Sequence, residues 1–141
     1  MRQISILGST GSIGRNALNV VRHLPHQLKV VALAARENIA LLEQQALEFQ
    51  PSIIAVYQTE KARELQKRLP GFTVLGGMEG LKAVAACQEA QMVVSAIAGT
   101  VGLQPTIEAI LAGKDIGLAN KEALVSGGAL VMRLVKEQGV Q

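Results

Sequence analysis

Short apolar runs alternate with stretches of helical periodicity along the 141 residues of the chain. The runs at 4–7, 29–34, 53–56, 92–97 and 116–119 are continuous rather than alternating, which is typical of strands covered on both faces. Spacings of three and four predict helices over about 12–23, 38–49, 59–69, 81–89 and 121–138, and another that ends at Gly113. This order predicts one α/β domain over residues 1–141 with a doubly wound parallel sheet.

Two details of this pattern are specific enough to be checked. In the first helix, the apolar positions at helical spacing are Ile13, Ala17, Val20, Val21 and Leu24, and we expect them to face the core. Further along, Phe72–Leu75 suggests an edge strand, and Gly76-Gly77 suggests a turn before a helix at Leu81–Glu89. Leu81, Val84 and Ala85 of that helix are expected to point inward.

A glycine-rich loop, Gly8-Ser-Thr-Gly-Ser-Ile-Gly14, follows the first strand and opens the first helix. Gly8 would allow a tight turn, Gly11 the close approach of a phosphate, and Gly14 close packing of helix on sheet. A pyrophosphate would then bind the amides at the helix N-terminus. The G-x-x-G-x-x-G spacing is weak evidence by itself, but its strand–loop–helix context predicts a nucleotide-binding Rossmann domain.

The residues after the second strand bear on the choice of nucleotide. Enzymes that use NAD usually place Asp or Glu there, to accept a hydrogen bond from the ribose 2′-hydroxyl. This strand instead ends Ala34-Ala35-Arg36, and a guanidinium suits the 2′-phosphate of NADP. Glu37 leaves a second interpretation open, in which it is the acidic reader displaced by one residue. Asn38 is expected to cap the second helix.

The last strand leads directly into Asn120-Lys121-Glu122, at the carboxyl end of the sheet, where ligands of such folds bind. The alternative is an Asn cap followed by a solvated charge pair. Tyr57 and Lys61 match the Y-x-x-x-K pair of short-chain dehydrogenases, but they follow the third strand, on the adenine side, and we interpret the match as chance.

Composition narrows the function further. Aromatic residues make up only 2% of the chain and the net charge is a modest +3, so we expect no nucleic-acid partner. No apolar stretch is long enough to cross a bilayer and no signal peptide precedes the first strand, so we expect a cytoplasmic protein, or a plastid one after loss of a transit sequence. Cys87 is the only cysteine, and the carboxylates are dispersed, so no metal site and no catalytic group are predicted in this chain.

Two motifs together, Ile6-Leu-Gly-Ser-Thr-Gly-Ser-Ile-Gly14 and Leu118-Ala-Asn-Lys-Glu-Ala-Leu-Val125, resemble the 1-deoxy-D-xylulose 5-phosphate reductoisomerase family. Gly102-Leu-Gln-Pro-Thr106 fits the same pattern, and the resemblance covers the whole chain. It implies an NADPH-dependent oxidoreductase of non-mevalonate isoprenoid biosynthesis. The family converts 1-deoxy-D-xylulose 5-phosphate to 2-C-methyl-D-erythritol 4-phosphate by isomerisation and hydride reduction, as a homodimer that uses Mg or Mn.

The resemblance also implies roles for individual residues. Thr10, Gly11, Ser12 and Ile13 would hold the NADPH pyrophosphate, and Arg36, Glu37 and Asn38 would lie at the 2′-phosphate. Asn120 and Glu122 would contact the cofactor near its nicotinamide end, and Lys121 would bind the sugar phosphate substrate.

The family's metal- and substrate-binding Asp, Ser and Glu belong to a later segment, so the chain corresponds to the N-terminal NADPH-binding domain and is expected to be inactive alone. The alternatives are an extended short-chain dehydrogenase or epimerase, and a non-enzymatic NADP-sensing module.

Overall fold

The computed structural model describes residues 2–97 and 100–118, and within these ranges six strands form one parallel sheet. The strands are β1 Arg2–Leu7, β2 Leu28–Ala35, β3 Ile53–Val56, β4 Val74–Gly76, β5 Met92–Ser95 and β6 Asp115–Leu118. The helices are α1 Ser12–His23, α2 Ile39–Phe49, α3 Thr59–Arg68, α4 Gly77–Ala85 and α5 Leu103–Leu111, with a 3₁₀ turn at Thr100–Gly102. The predicted α/β fold is confirmed; the helix predicted at 121–138 lies outside the described residues.

The strand order is β4-β3-β2-β1-β5-β6. The chain therefore moves outward from β1 to one edge of the sheet, and then returns to continue on the other side of β1. The reversal falls between β1 and β5, where Leu7 lies opposite Ser95. In open α/β sheets a crevice forms at the carboxyl ends of the two strands that flank such a reversal, and ligands bind there.

Helices cover both faces of the sheet, which explains the continuous apolar strands. On one face, α1, α2 and α3 pack through Leu18, Leu42 and Leu65 against strand residues such as Ile6 and Leu33. On the other face, α4 and α5 pack against the alternate strand residues, including Leu7 and Val93. No helix in the described part of the chain is long and apolar enough to span a membrane.

The face that α1 buries differs from the predicted one. Val21 is buried and Ala17 is partly buried, but Ile13, Val20 and Leu24 are 47%, 49% and 37% exposed. The buried line is instead Gly14, Leu18 and Val21. The helix is rotated because Gly14 sits directly against the backbone of Gly8 and Ser9. A pattern that counts only apolar side chains does not register a glycine as the closest point of contact.

Helix α4 also begins earlier than predicted, at Gly77 rather than Leu81, and it ends at Ala85. Leu81, Val84 and Ala85 are fully buried, as predicted. The predicted turn at the two glycines is replaced by a junction, in which Gly76 ends β4 and Gly77 starts the helix with φ +73°. Gly80 then allows α4 to pack close to β4, because a Cβ there would lie 3.1 Å from Leu75.

Candidate functional site

A cleft of about 250 Å³ opens at the reversal between β1 and β5. It is lined by residues from three segments, the glycine loop, the end of β2 and the end of β5: Gly8, Thr10, Gly11, Arg36, Glu37, Asn38, Ala96 and Ile97. The fold therefore brings together two groups of predicted site residues that are more than twenty positions apart in the chain. Larger clefts, of about 390 and 570 Å³, lie between α1 and α2, where the predicted residue Ser12 is part of the lining, and beside α3 and β4.

Two glycines of the loop are required by close backbone contacts. Gly8 has φ +87°, and a Cβ there would lie 2.6 Å from the carbonyl oxygen of Ala96. Gly14 is tighter still, since its Cβ would lie 2.1 Å from the carbonyl oxygen of Gly8. Gly11 differs from both: a Cβ there would meet only that same oxygen, at 3.7 Å. Gly8 and Gly14 thus hold the loop in place, and Gly11 leaves its exposed side open.

The backbone amides of the loop differ in whether they have a hydrogen-bond acceptor. The amide of Gly11 makes a long 3.3 Å bond to the Gly8 carbonyl, and the amide of Arg15 makes the first helical bond, at 2.9 Å. On either side of Gly11, the amides of Thr10, Ser12 and Ile13 have no acceptor among the described protein groups. Such amides at a helix N-terminus, reinforced by the helix dipole, favour an anion. The predicted pyrophosphate residues therefore carry suitable donors.

The segment after β2 presents exposed side chains to the same cleft. No described carboxylate pairs with the Arg36 guanidinium, whereas Glu37 accepts a 2.8 Å hydrogen bond from Nε2 of Gln58. Asn38 caps α2, as predicted, with its side-chain oxygen 3.2 Å from the Leu41 amide. Arg36 is thus the available cation of the segment, and Glu37 is held towards the loop after β3.

Two functional candidates, Ser9 and Gln45, are not identified from the sequence. Both are buried, and they exchange two hydrogen bonds that tie the glycine loop to the middle of α2. The available signal is a glutamine at a position of α2 whose neighbours Leu42 and Ala46 are apolar and buried. A buried amide needs partners, but the sequence does not say which element supplies them.

The end of β5 is anchored by a second buried polar pair. The hydroxyls of Ser95 and Thr106 lie 2.7 Å apart, and Thr106 also donates to the Gly102 carbonyl at 2.7 Å. This pair connects β5 to the start of α5 beside the cleft. Thr106 belongs to the segment Gly102–Thr106 that fits the family pattern. The resemblance assigns no role to Thr106.

The predicted residues Asn120, Lys121 and Glu122 lie outside the described residues. The last described strand approaches the site, because Leu118 of β6 lies opposite Ser95 of β5 in the parallel register. Tyr57, of the Y-x-x-x-K match, is half-buried and packs on the core, while Lys61 is exposed on α3.

Other charged side chains form ion pairs that join elements of the fold outside the cleft. Arg22 at the end of α1 donates to both carboxylate oxygens of Glu48 on α2, at 2.6 and 2.7 Å. This bidentate hydrogen bonding lowers the pKa of the Glu48 carboxyl. Asp115 forms an ion pair with Arg2.

No group of three His, Cys, Asp or Glu residues in the described ranges is arranged to hold a metal ion.

Comparison with known proteins places this geometry in a family. The family model for 1-deoxy-D-xylulose 5-phosphate reductoisomerase matches residues 4–128. The protein of that name from Protochlamydia amoebophila is 69% identical over 140 residues, which are 99% of this chain and 36% of the relative. The chain thus spans about a third of the length of the curated relatives it matches.

Solved structures give the same result. A DOX-P reductoisomerase in complex with NADPH, fosmidomycin and magnesium superposes with a TM-score of 0.95 at 35% identity, over 100% of this chain and 35% of that one. The 1-deoxy-D-xylulose 5-phosphate reductoisomerase of Zymomonas mobilis in complex with NADPH gives a TM-score of 0.93 at 32% identity, over 99% and 37% of the two chains.

Proposed function

The chain belongs to the 1-deoxy-D-xylulose 5-phosphate reductoisomerase family, and from that premise we propose that it binds NADPH in the cleft between β1 and β5. The whole enzyme would convert 1-deoxy-D-xylulose 5-phosphate to 2-C-methyl-D-erythritol 4-phosphate, for non-mevalonate isoprenoid synthesis. Family membership argues against the alternative of an extended short-chain dehydrogenase or epimerase. It also favours part of an enzyme over a self-contained NADP-sensing module, because the relatives are named as enzymes.

One observation carries the proposal: Thr10 and Gly11 of the glycine loop line the same cleft as Arg36. NADPH carries two separate anionic groups, a pyrophosphate and a 2′-phosphate. The loop offers backbone N–H groups without protein acceptors, which suit the pyrophosphate. Arg36 offers a planar fork of donors, which suits the 2′-phosphate. The two groups of donors match the two anions of a single ligand.

The contacts of Glu37 favour NADPH over NADH. An acidic residue that reads a ribose 2′-hydroxyl has to present its carboxylate to the adenosine. Here that carboxylate accepts from Gln58, in the loop between β3 and α3. Arg36 has no such partner among the described carboxylates. The interpretation with Arg36 as reader of a 2′-phosphate is therefore the better supported of the two left open by the sequence.

Within the enzyme, the chain would bind and orient the cofactor. When bound, NADPH supplies the hydride for reduction of the aldehyde, and the protein supplies position and electrostatics. Thr10, Gly11, Ser12 and Ile13 would hold the pyrophosphate, and Gly8 and Gly14 would fix the loop. Asn120 and Glu122 would meet the nicotinamide end, and Lys121 would bind the sugar phosphate.

We further propose a cytoplasmic homodimer without nucleic-acid or membrane partners.

The divalent metal of the family does not fit the described part of this chain. A hard cation requires several clustered oxygen ligands, and residues 2–97 and 100–118 contain no such cluster. The Mg or Mn of the reaction would be held by residues of the remaining two thirds of the enzyme, and the 141 residues alone should not turn over substrate.

Calorimetric titration of the chain with NADPH and NADH tests the proposal. We expect NADPH to bind and NADH to bind at least about tenfold more weakly, because one charge-assisted hydrogen bond is worth about that factor or more. Adding sugar phosphate and Mg²⁺ should leave the NADPH absorbance unchanged. Absence of NADPH binding, or equal affinity for both nucleotides, would contradict the assignment of the cleft.

A further inference from the structure

The glycine loop is tied to α2 by a pair of buried polar side chains. The Ser9 hydroxyl donates to Oε1 of Gln45 at 2.8 Å, and Nε2 of Gln45 donates to the Ser9 carbonyl oxygen at 2.9 Å. Ser9 is fully buried and Gln45 is 3% exposed. An unpaired polar group at this depth is costly, so the loss of either side chain would leave buried polar groups of the other residue without a partner.

Ser9 is also bonded to the sheet. Its amide and the amide of Gly8 both donate to the carbonyl of Ala34 in β2, at 3.0 and 2.8 Å. Every polar group of Ser9 is therefore engaged, by β2 through the amide and by α2 through the carbonyl and the hydroxyl. Among the next residues, Thr10, Ser12 and Ile13 have amides without acceptors in the described part of the protein. Ser9 thus adjoins Thr10, whose amide lacks an acceptor in this part of the protein and which lines the cleft.

The two anchors of Ser9 are the two elements that flank the Arg36 segment. Strand β2 ends at Ala35 and helix α2 begins at Ile39, so Arg36, Glu37 and Asn38 form the connection between them. A group that holds the loop to both elements also fixes the separation between the loop amides and Arg36. A ligand with two anionic groups is sensitive to that separation, whereas a ligand with one is not.

From this arrangement we infer that Gln45 is a positioning residue for NADPH, which sets the glycine loop at the distance from Arg36 that the nucleotide requires. The inference rests on the proposed function. Gln45 does not line the cleft between β1 and β5, so it acts through Ser9. An amide is required at this position because it supplies both a donor and an acceptor; a carboxylate supplies only acceptors, and an aliphatic side chain supplies neither.

The variant Gln45→Leu keeps roughly the volume of the side chain and removes both hydrogen bonds. We expect its dissociation constant for NADPH to rise about tenfold. The loop amides lose their fixed placement, so the entropy cost of ordering them reduces the free energy of NADPH binding. Adenosine 2′-monophosphate, which reaches only the Arg36 segment, should bind wild type and Gln45→Leu within about twofold of each other, since it does not span the two anchors.

The control is Leu65→Ala, which opens a cavity in the core under α3. Leu65 is distant from the glycine loop in the sequence. It should lower the free energy of unfolding and leave both dissociation constants unchanged at temperatures where the variant is folded. If Gln45→Leu does not fold, Ser9→Ala replaces it. That variant removes the hydroxyl and retains the carbonyl acceptor, and a loss of about threefold for NADPH is expected.

A further variant, Gln45→Glu, adds a pH profile. The carboxylate cannot donate to the Ser9 carbonyl, but the protonated acid can. Burial raises the pKa of such a carboxyl, whereas Arg15 and Arg22, which line the cleft beside Gln45 together with Glu48, lower it. The ratio of variant to wild-type dissociation constants should fall towards one as the pH is lowered through that pKa. A ratio that stays equally high after the carboxyl is protonated would contradict the requirement for a donor.

The outcomes separate the two proposals. If the wild type does not bind NADPH, the proposed function is wrong and the inference falls with it. If the wild type binds NADPH and Gln45→Leu binds it equally well, only the positioning role is wrong. Equal losses for NADPH and adenosine 2′-monophosphate would also overturn it, because they would indicate a general loss of structure.

Discussion

The two halves of the proposed cofactor site are built from different materials. The glycine loop would recognise an anion with its backbone, and its important positions are those where no side chain fits, at Gly8 and Gly14. The Arg36 segment would recognise an anion with exposed side chains on a short connection. The first half is therefore inseparable from the fold, since β1, β2, β5 and α2 all contact it. The second half can change its residues, and with them the nucleotide, without disturbing the sheet.

This difference predicts that substitutions of Gly8 and Gly14 lower the stability of the fold, whereas substitutions in the Arg36 segment change only nucleotide selectivity. The largest effect is expected for Gly14→Ala. The added Cβ would lie within 2.8 Å of three backbone atoms, of Gly8 and Ser9, which cannot turn away as a side chain can. Overpacking usually costs about 1–3 kcal/mol, and we expect the upper end of that range here. Urea denaturation followed by circular dichroism measures it.

The matched control for Gly14→Ala is Gly71→Ala. Gly71 is exposed, and a methyl group added to it would meet no atom within 4 Å. The same substitution there should therefore change the free energy of unfolding by less than about 0.5 kcal/mol. Equal stability of Gly14→Ala and the wild type would show that the loop is less tightly coupled to the sheet than the contacts indicate.

Gly11 lies in the same loop and should respond in the opposite way. A Cβ there meets only one atom, at 3.7 Å, and the residue is exposed on the side of the cleft. Gly11→Val should therefore remain folded but weaken NADPH about a hundredfold, because the branched side chain keeps a phosphate from at least one charge-assisted backbone hydrogen bond. Calorimetry on the folded variant provides the measurement.

Gly11→Ala serves as the graded comparison, with a smaller loss of NADPH affinity. If Gly11→Val binds NADPH as tightly as the wild type, the pyrophosphate does not approach this residue, and the role of the loop would be structural.

The glycines also show what the sequence can and cannot predict. The order of strands and helices follows from periodicity alone, because burial on one or both faces leaves its own spacing in the chain. The face of α1 does not, because Gly14 determines it by a contact that carries no apolar signal. The start of α4 is missed because Gly76-Gly77 predicts a turn, whereas Gly77 begins the helix with φ +73°.

Within the proposed site, the residues expected to meet a ligand are easier to propose from the sequence than those that support them. Gly8, Gly11 and Arg36 follow from what phosphates require, and the fold brings them to one cleft. Gln45 and Gln58 are not identified, because their roles depend on Ser9 and Glu37, which are 36 and 21 positions away. A single sequence shows residue types, but the pairing of distant polar groups is a property of the folded chain.

In the Arg36 segment the expected effect is on selectivity. Arg36→Ala should weaken NADPH by about ten- to a hundredfold, the range for one hydrogen bond to a charged group, and should leave NADH within about twofold. The free energy of unfolding should stay within about 0.5 kcal/mol of the wild-type value, because the side chain is exposed. Titration with both nucleotides measures the selectivity.

Arg63→Ala is the control for net charge, because it removes the same charge from an exposed site on α3, outside the cleft. A similar loss for both variants would indicate a general electrostatic effect on an anionic ligand. Equal losses of NADPH and NADH in Arg36→Ala would assign the residue to the structure of the segment.

The smallest expected effect concerns Gln58, which holds the carboxylate of Glu37 by a 2.8 Å hydrogen bond between exposed side chains. Gln58→Leu releases that carboxylate, which is then free to approach the 2′-phosphate and repel it. Interactions between exposed charges are worth up to about 1 kcal/mol, so we expect NADPH to weaken about two- to fivefold while NADH is unchanged. In a Glu37→Gln background the same substitution should have no effect, because no charge remains to be released; a loss that persists there would mean that Gln58 acts on its own. Glu37→Gln alone should leave NADH affinity intact, and a drop in NADH affinity would instead make Glu37 the reader of a ribose hydroxyl.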